Sequence, residues 1–163
     1  MDQLYEALIS MKKNPSIPDE DDWFQNLLGD WNLNYSEPSG RKVQGEWLFR
    51  RALDGMAIED LFICPSRAER ISNPQPDAEY GVTIRMYDRK NRWYDMTYIC
   101  ANYTTRLKCT KEDDRIICSV LDSDTKWIFS AITGDSFRWQ NTNLDKNGNI
   151  RISCEVHATR KPL

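Results

Sequence analysis

The sequence has one histidine, no Cys-x-x-Cys pair, no Gly-x-Ser-x-Gly element and no glycine-rich phosphate loop. These gaps remove the usual supports for a zinc centre, a serine hydrolase and a nucleotide cofactor, so we expect no metal and no cofactor. Basic residues are not in excess: the net charge is −3, which argues against nucleic acid as a partner. Apolar runs are only a few residues long, so no membrane span is predicted. The first residues, Met1-Asp2-Gln3-Leu4-Tyr5-Glu6, are acidic and lack the apolar core of a signal peptide, which predicts a cytoplasmic protein. Five cysteines (Cys64, Cys100, Cys109, Cys118 and Cys154) form an odd set within strand-like runs, and are expected to be reduced thiols.

What the chain has is aromatic residues and alternation. Its 163 residues suffice for one core, and we read one domain over 1–163, with a helical segment at 1–28 and a barrel at 29–160. Leu4, Leu8 and Met11 share one face of a short helix that ends at Asn14-Pro15. The run Asp19-Glu20-Asp21-Asp22 suits the start of a second helix, whose stripe is Trp23, Phe24, Leu27 and Leu28 and whose closing residue is Gly29.

From Trp31 the period changes to two. Trp31, Leu33 and Tyr35 alternate with Asn32, Asn34 and Ser36, and a long strand follows from Lys42 to about Leu53, with Gly45 allowing a bend. Asp54-Gly55 marks a hairpin and Met56 to Cys64 a third strand, followed by a proline-rich loop up to Asn73-Pro74-Gln75-Pro76 that suits a lid or portal. Further strands are read at Tyr80–Asp88, Arg92–Ala101, Thr104–Thr110, Arg115–Leu121, Lys126–Ile132, Ser136–Asn141 and Asn149–Arg160. The Asp145-Lys146-Asn147-Gly148 turn lacks the downstream acidic set of a calcium loop. Ten strands with short connections predict an all-β fold, a closed antiparallel up-and-down barrel behind one or two short helices, because an open meander would leave long bare edges. A two-sheet sandwich is the alternative.

Gly29-Asp30-Trp31 before the first strand, matched by Arg160 near the end of the last, resembles the calycin superfamily of lipocalins and fatty-acid-binding proteins. The resemblance implies that the Trp plugs one barrel end and the Arg packs across it. Gly81-x-Thr83-x-Arg85-x-Tyr87-Asp88, Arg92-Trp93 and Phe137-x-Trp139 are similar to an uncharacterised, mainly bacterial, lipocalin-like family over roughly residues 27–160.

Phase then assigns the lumen. If Trp31 points inward, so do Leu33 and Tyr35, and Arg160 shares a face with Ala158, Val156, Cys154, Ile152 and Ile150. The same rule places Trp47, Phe49 and Arg51 inside, with Val82, Ile84 and Met86, and then Trp93, Asp95, Thr97 and Ile99. Tyr103, Leu107 and Cys109, Trp127 and Phe129, and Phe137, Trp139 and Asn141 complete the lining.

An apolar lumen with few polar groups predicts binding of a small apolar or amphipathic molecule, with Tyr35, Trp47, Phe49, Arg51, Met86, Trp93, Trp139 and Asn141 as ligand contacts. The alternative is a cofactor-independent isomerase, hydratase or cyclase acting on a lipophilic substrate. Its acid or base would be Asp95, then Glu59 or Asp60, with Tyr103 beside them. A third reading, haem binding, follows from resemblance to nitrobindin barrels and would use His157, although phase turns that residue outward with Arg151, Ser153, Glu155 and Thr159. The partner expected is a small lipophilic molecule, and a homodimer is compatible with the sequence.

Overall fold

The computed structural model describes residues 2–162. After a short helix, α1 (Gln3–Leu8), come a two-residue strand β1 (Ile9–Ser10) and two single turns of tight helix, Asp19–Asp21 and Gln25–Leu27. Ten longer strands follow: β2 (Gly29–Ser36), β3 (Lys42–Ala52), β4 (Ala57–Cys64), β5 (Glu79–Asp88), β6 (Trp93–Ile99), β7 (Thr104–Glu112), β8 (Arg115–Val120), β9 (Lys126–Ser130), β10 (Ser136–Leu144) and β11 (Ile150–Arg160). Each pairs antiparallel with its neighbour in sequence, and β11 pairs with β2, which closes the barrel. Closure leaves the ten strands without a long open edge. Towards Ala52, β3 outruns β2, and β1 takes the vacant side through Ile9↔Ala52 and Ser10↔Arg51.

The expected second helix is replaced by the two tight turns. Asp19, Glu20 and Asp21 do form the first of them, but Asp21 and Asp22 are buried against the barrel instead of facing water. Tyr87 and Arg92 engage the Asp21 carboxylate, Arg92 Nε at 2.8 Å, and Tyr94 Oη donates to the Asp21 carbonyl at 2.8 Å. Asp22 takes a two-pronged bond from Arg51, at 3.1 and 2.6 Å. With Ile17, Phe24 and Leu27 inserted beside these pairs, residues 14–28 form a plug. A regular helix would spread the same residues around its circumference, whereas here tertiary pairing sets the path.

The closing contact follows the expected arrangement. Trp31 is fully buried, pairs in register with Arg160, and donates from Nε1 to the Leu27 carbonyl at 2.7 Å. Arg160 lies over the Trp31 ring and donates to the carbonyls of Leu28 (2.7 Å) and Asn26 (3.0 Å). Gly29, with φ +120°, begins β2 instead of ending a helix, and a Cβ there would stand 2.5 Å from Arg160 Nη1. Glycine is required at this point both by backbone conformation and by the guanidinium.

Phase holds for β2, β3, β9 and most of β10 and β11: Leu33, Trp47, Phe49, Phe129, Phe137, Val156 and Ala158 are all buried. It is reversed in β5 and β6. The inward residues are Gly81, Thr83, Arg85 and Tyr87, then Tyr94, Met96 and Tyr98. Val82, Ile84 and Met86, and Trp93, Asp95, Thr97 and Ile99, therefore lie on the outer face, with Val82, Met86 and Ile99 at 40, 38 and 51 % exposure. In β11, a register shift opposite Asn141 and Thr142 ends the inward run at Cys154, so Ile152 and Ile150 are exposed.

The candidate ligand cavity

Beyond the plug, the lumen keeps a cavity of about 160 Å³. Its wall is aromatic, from Tyr35, Trp47, Phe62, Tyr98, Trp127 and Trp139, with Met96 and Cys154 between them. Polar residues enter at three places: Thr83 and Arg85 from β5, Asn141 from β10, and Glu79 with Tyr103 towards the open end. Inward residues of one strand repeat every second position, about 7 Å apart, so Glu79, Gly81, Thr83, Arg85 and Tyr87 form a ladder from the open end to the plug.

Arg85 is the charged centre of the lumen. Its side chain and that of Asp60 on β4 have no solvent exposure and form an ion pair. Trp47 Nε1 donates to the other Asp60 oxygen, Oδ1, at 2.7 Å. The guanidinium carbon lies 5.0 Å from the Phe24 ring centre and 5.7 Å from those of Phe49 and Phe129. The charge is thus compensated by one carboxylate and three ring faces, the arrangement an interior ion requires. Two of its nitrogens, Nε and Nη2, have no hydrogen-bond partner among the described residues, and the same holds for Trp139 Nε1 and Asn141 Oδ1.

Gly81 lets Tyr98 lie across the lumen: a Cβ on Gly81 would stand 2.0 Å from the Tyr98 oxygen. Tyr98 in turn packs edge-on to Trp127, with ring centres 5.2 Å apart. At the open end Tyr35 Oη donates to Glu37 at 2.9 Å, and burial, followed by Cys154 and Glu37, raises the phenol's pKa. Glu79 is held above the usual carboxylate range, by burial first and then by Asp77.

The proline-rich loop, residues 65–78, is fastened beside this opening. Arg41, next to the β2–β3 turn, grips Asp77 with two bonds of 2.8 and 2.6 Å and also reaches Glu37 and Gln75. Arg67 binds Glu46 through Nε at 3.0 Å and Nη2 at 2.9 Å, and Ser66 N donates to the Gln44 carbonyl at 2.8 Å. This loop is tied into the barrel rim.

The residues singled out from sequence divide accordingly. Tyr35, Trp47, Trp139 and Asn141 line the cavity, as does Tyr103, which is half exposed. Phe49 lies beneath it, with its ring centre 5.1 Å from that of Trp47, and Arg51 belongs to the plug. Asp60 points inward, but Glu59 lies in an outer groove with Tyr5, Ile9, Leu48 and Arg50, where burial and then Asp60 raise its pKa. Asp95 is exposed on the outer wall, and Met86 and Trp93 share that face, so none of the three reaches the lumen. His157 is outward, beside Glu155 at 2.8 Å. Arg85, Thr83, Tyr98, Met96, Phe62 and Glu79 were not anticipated. Gly81 carried the missing signal, since a glycine inside a strand often marks another group's close approach, and here it identifies the inward face of β5.

The chain matches no known protein family and no curated protein. Among solved structures it is similar to the S-type phycobiliprotein lyase CPES from Guillardia theta, with TM-score 0.56 and 9% identity over 91% of this chain and 96% of that one. A redesigned β-barrel aligns with TM-score 0.44 and 9% identity over 84% of this chain and 93% of that one. At such identity the likeness to the lyase concerns the fold alone. The architecture is a closed antiparallel barrel of ten long strands, a fold it shares with that lyase. Among the described residues no helix is long and apolar enough to cross a membrane.

Proposed function

We propose that the barrel binds a small apolar or amphipathic molecule in its lumen. The observation that carries this reading is an aromatic-walled hollow whose lining residues carry buried polar atoms with no partner among the described residues: Arg85 Nε and Nη2, Trp139 Nε1 and Asn141 Oδ1. Buried donors and acceptors are costly when unpaired, so a native protein that leaves several around one hollow is organised for a guest that satisfies them. The aromatic wall supplies the apolar contact. The motifs around Gly81 and Trp139 resemble those of a bacterial lipocalin-like family, which supports the reading, and the lyase neighbour shares the barrel while bringing no substrate with it.

A second reading, conversion of the guest by the barrel, is favoured by one observation. Glu79 lines the cavity with its carboxyl held towards the protonated form by burial and Asp77, the property a general acid needs. Native mass spectrometry of the freshly isolated protein, followed by incubation with a panel of lipophilic metabolites, tests both readings. A retained molecule returned unchanged supports a binding protein and a converted one supports an enzyme; an empty protein that takes up nothing from the panel overturns both.

A further inference from the structure

The cavity's charge and unpaired atoms define the head group it accepts. Arg85 is fully buried, and its charge is already matched by Asp60, whose side chain is equally inaccessible. The remaining titratable carboxylate on the wall is Glu79, and among the described residues no second cationic side chain lines the cavity. Arg85 and Asp60 together are neutral, so a guest carboxylate beside them would add an uncompensated negative charge among aromatic rings deep in the lumen, where ion burial is costly. A neutral guest incurs no such cost. Among the described residues, unpartnered N–H groups remain on Arg85 and Trp139, both at least nine-tenths buried, and an unpartnered acceptor remains at Asn141 Oδ1, all three on residues that line the cavity.

We infer that the lumen recognises an uncharged, ring-bearing molecule whose head group combines a hydrogen-bond acceptor and a donor, as a primary carboxamide does, and that it discriminates against the corresponding carboxylate. The acceptor oxygen meets Arg85 or Trp139, the donor meets Asn141, and the ring lies among Trp47, Tyr98 and Trp127. Size agrees: a cavity of about 150 Å³ accommodates benzene, and this one measures about 160 Å³. The inference rests on the lumen being a binding site.

The test is titration of the full chain at pH 7 with toluene, benzamide and benzoate, followed by tryptophan fluorescence and amide chemical shifts. Benzamide is expected to bind at least tenfold more tightly than either toluene or benzoate, since two satisfied hydrogen bonds of about 1 kcal/mol each exceed a factor of ten. Trp139→Phe, which keeps a ring and removes the N–H, is expected to lower the benzamide-to-toluene affinity ratio by about fivefold. Arg85→Met should lower that ratio further; should it fail to fold, Trp139→Phe still decides. Benzoate binding as tightly as benzamide overturns the preference for a neutral head group. Benzamide binding no tighter than toluene overturns polar anchoring and leaves an apolar binding site standing. Failure of all three probes, with no shift of cavity resonances, overturns the lumen reading and this inference with it.

Discussion

The guanidinium carbon of Arg160 lies 4.1 Å from the centre of the Trp31 ring, with the first and last barrel strands hydrogen-bonded between them. Arg160 also donates to the last carbonyls of the plug, at Leu28 and Asn26. One side chain therefore joins β2, β11 and the segment that closes the barrel. Arg160→Met is expected to destabilise the protein by roughly 2 kcal/mol, from a lost cation–π contact and lost charged hydrogen bonds. Arg160→Lys should recover only part of this, because an ammonium cannot present a planar fork to two carbonyls. Urea unfolding of the three proteins measures both effects.

Gly81→Ala places a methyl group where the Tyr98 ring lies. The ring must shift within the lumen, and overpacking of this kind costs about 1–3 kcal/mol. The expected outcome is a lower unfolding midpoint together with weakened uptake of whatever occupies the cavity, read by the fluorescence of Trp127, against which Tyr98 packs.

The Asp60–Arg85 pair should behave as a unit. Asp60→Asn leaves a fully buried guanidinium without its counter-charge and is expected to cost on the order of 3–5 kcal/mol. Replacing both partners, as Asp60→Leu with Arg85→Met, should cost less than the sum of the two single changes. Additive losses in a double-mutant cycle would show that the two side chains are energetically independent.

Glu46 supplies a test of pH dependence. Hydrogen bonding from Arg67, against the opposing cost of burial, and then from Lys161, lowers its pKa to about 2. A carboxyl group depressed on folding contributes stability above its unfolded pKa, about 4.3, and loses it as pH falls through the folded value. The stability advantage of the wild type over Glu46→Gln is therefore expected to be full at pH 7, to shrink below about pH 4.3, and to vanish near pH 2. Thermal unfolding of both proteins across this range checks the sign.

Asp95→Asn should leave ligand uptake and any turnover unchanged, because the residue is exposed on the outer wall. Loss of binding or turnover by this variant, with folding intact, would place the functional surface outside the barrel.

Strand count and closure could be read from sequence because they depend on alternation and local turns, which a single chain displays, whereas the Trp31–Arg160 contact came from the family resemblance of Gly29-Asp30-Trp31 and Arg160, with which strand phase agreed. The lumen of β5 and β6 could not be read this way. In β5 the outward residues Val82, Ile84 and Met86 are more apolar than the inward Thr83 and Arg85, so a rule that turns apolar residues inward selects the wrong face. What reverses it is the pairing of Arg85 with Asp60, 25 residues earlier on a neighbouring strand, a relationship with no period. The plug was misread for the same reason: the partners of Asp21 are Tyr87 and Arg92, 66 and 71 residues away.

The plug also constrains traffic. With Phe24, Asp21 and Asp22 fixed at one end, the lumen is a blind tube whose cavity is reached from the opposite end, where Tyr35, Glu79 and the half-exposed Tyr103 line it. On the proposed reading, an occupant would have to depart before a successor arrives, and exchange would follow the off-rate. On the proposed reading, the rim that Arg41 and Arg67 hold in place would set residence time without touching the deepest part of the site.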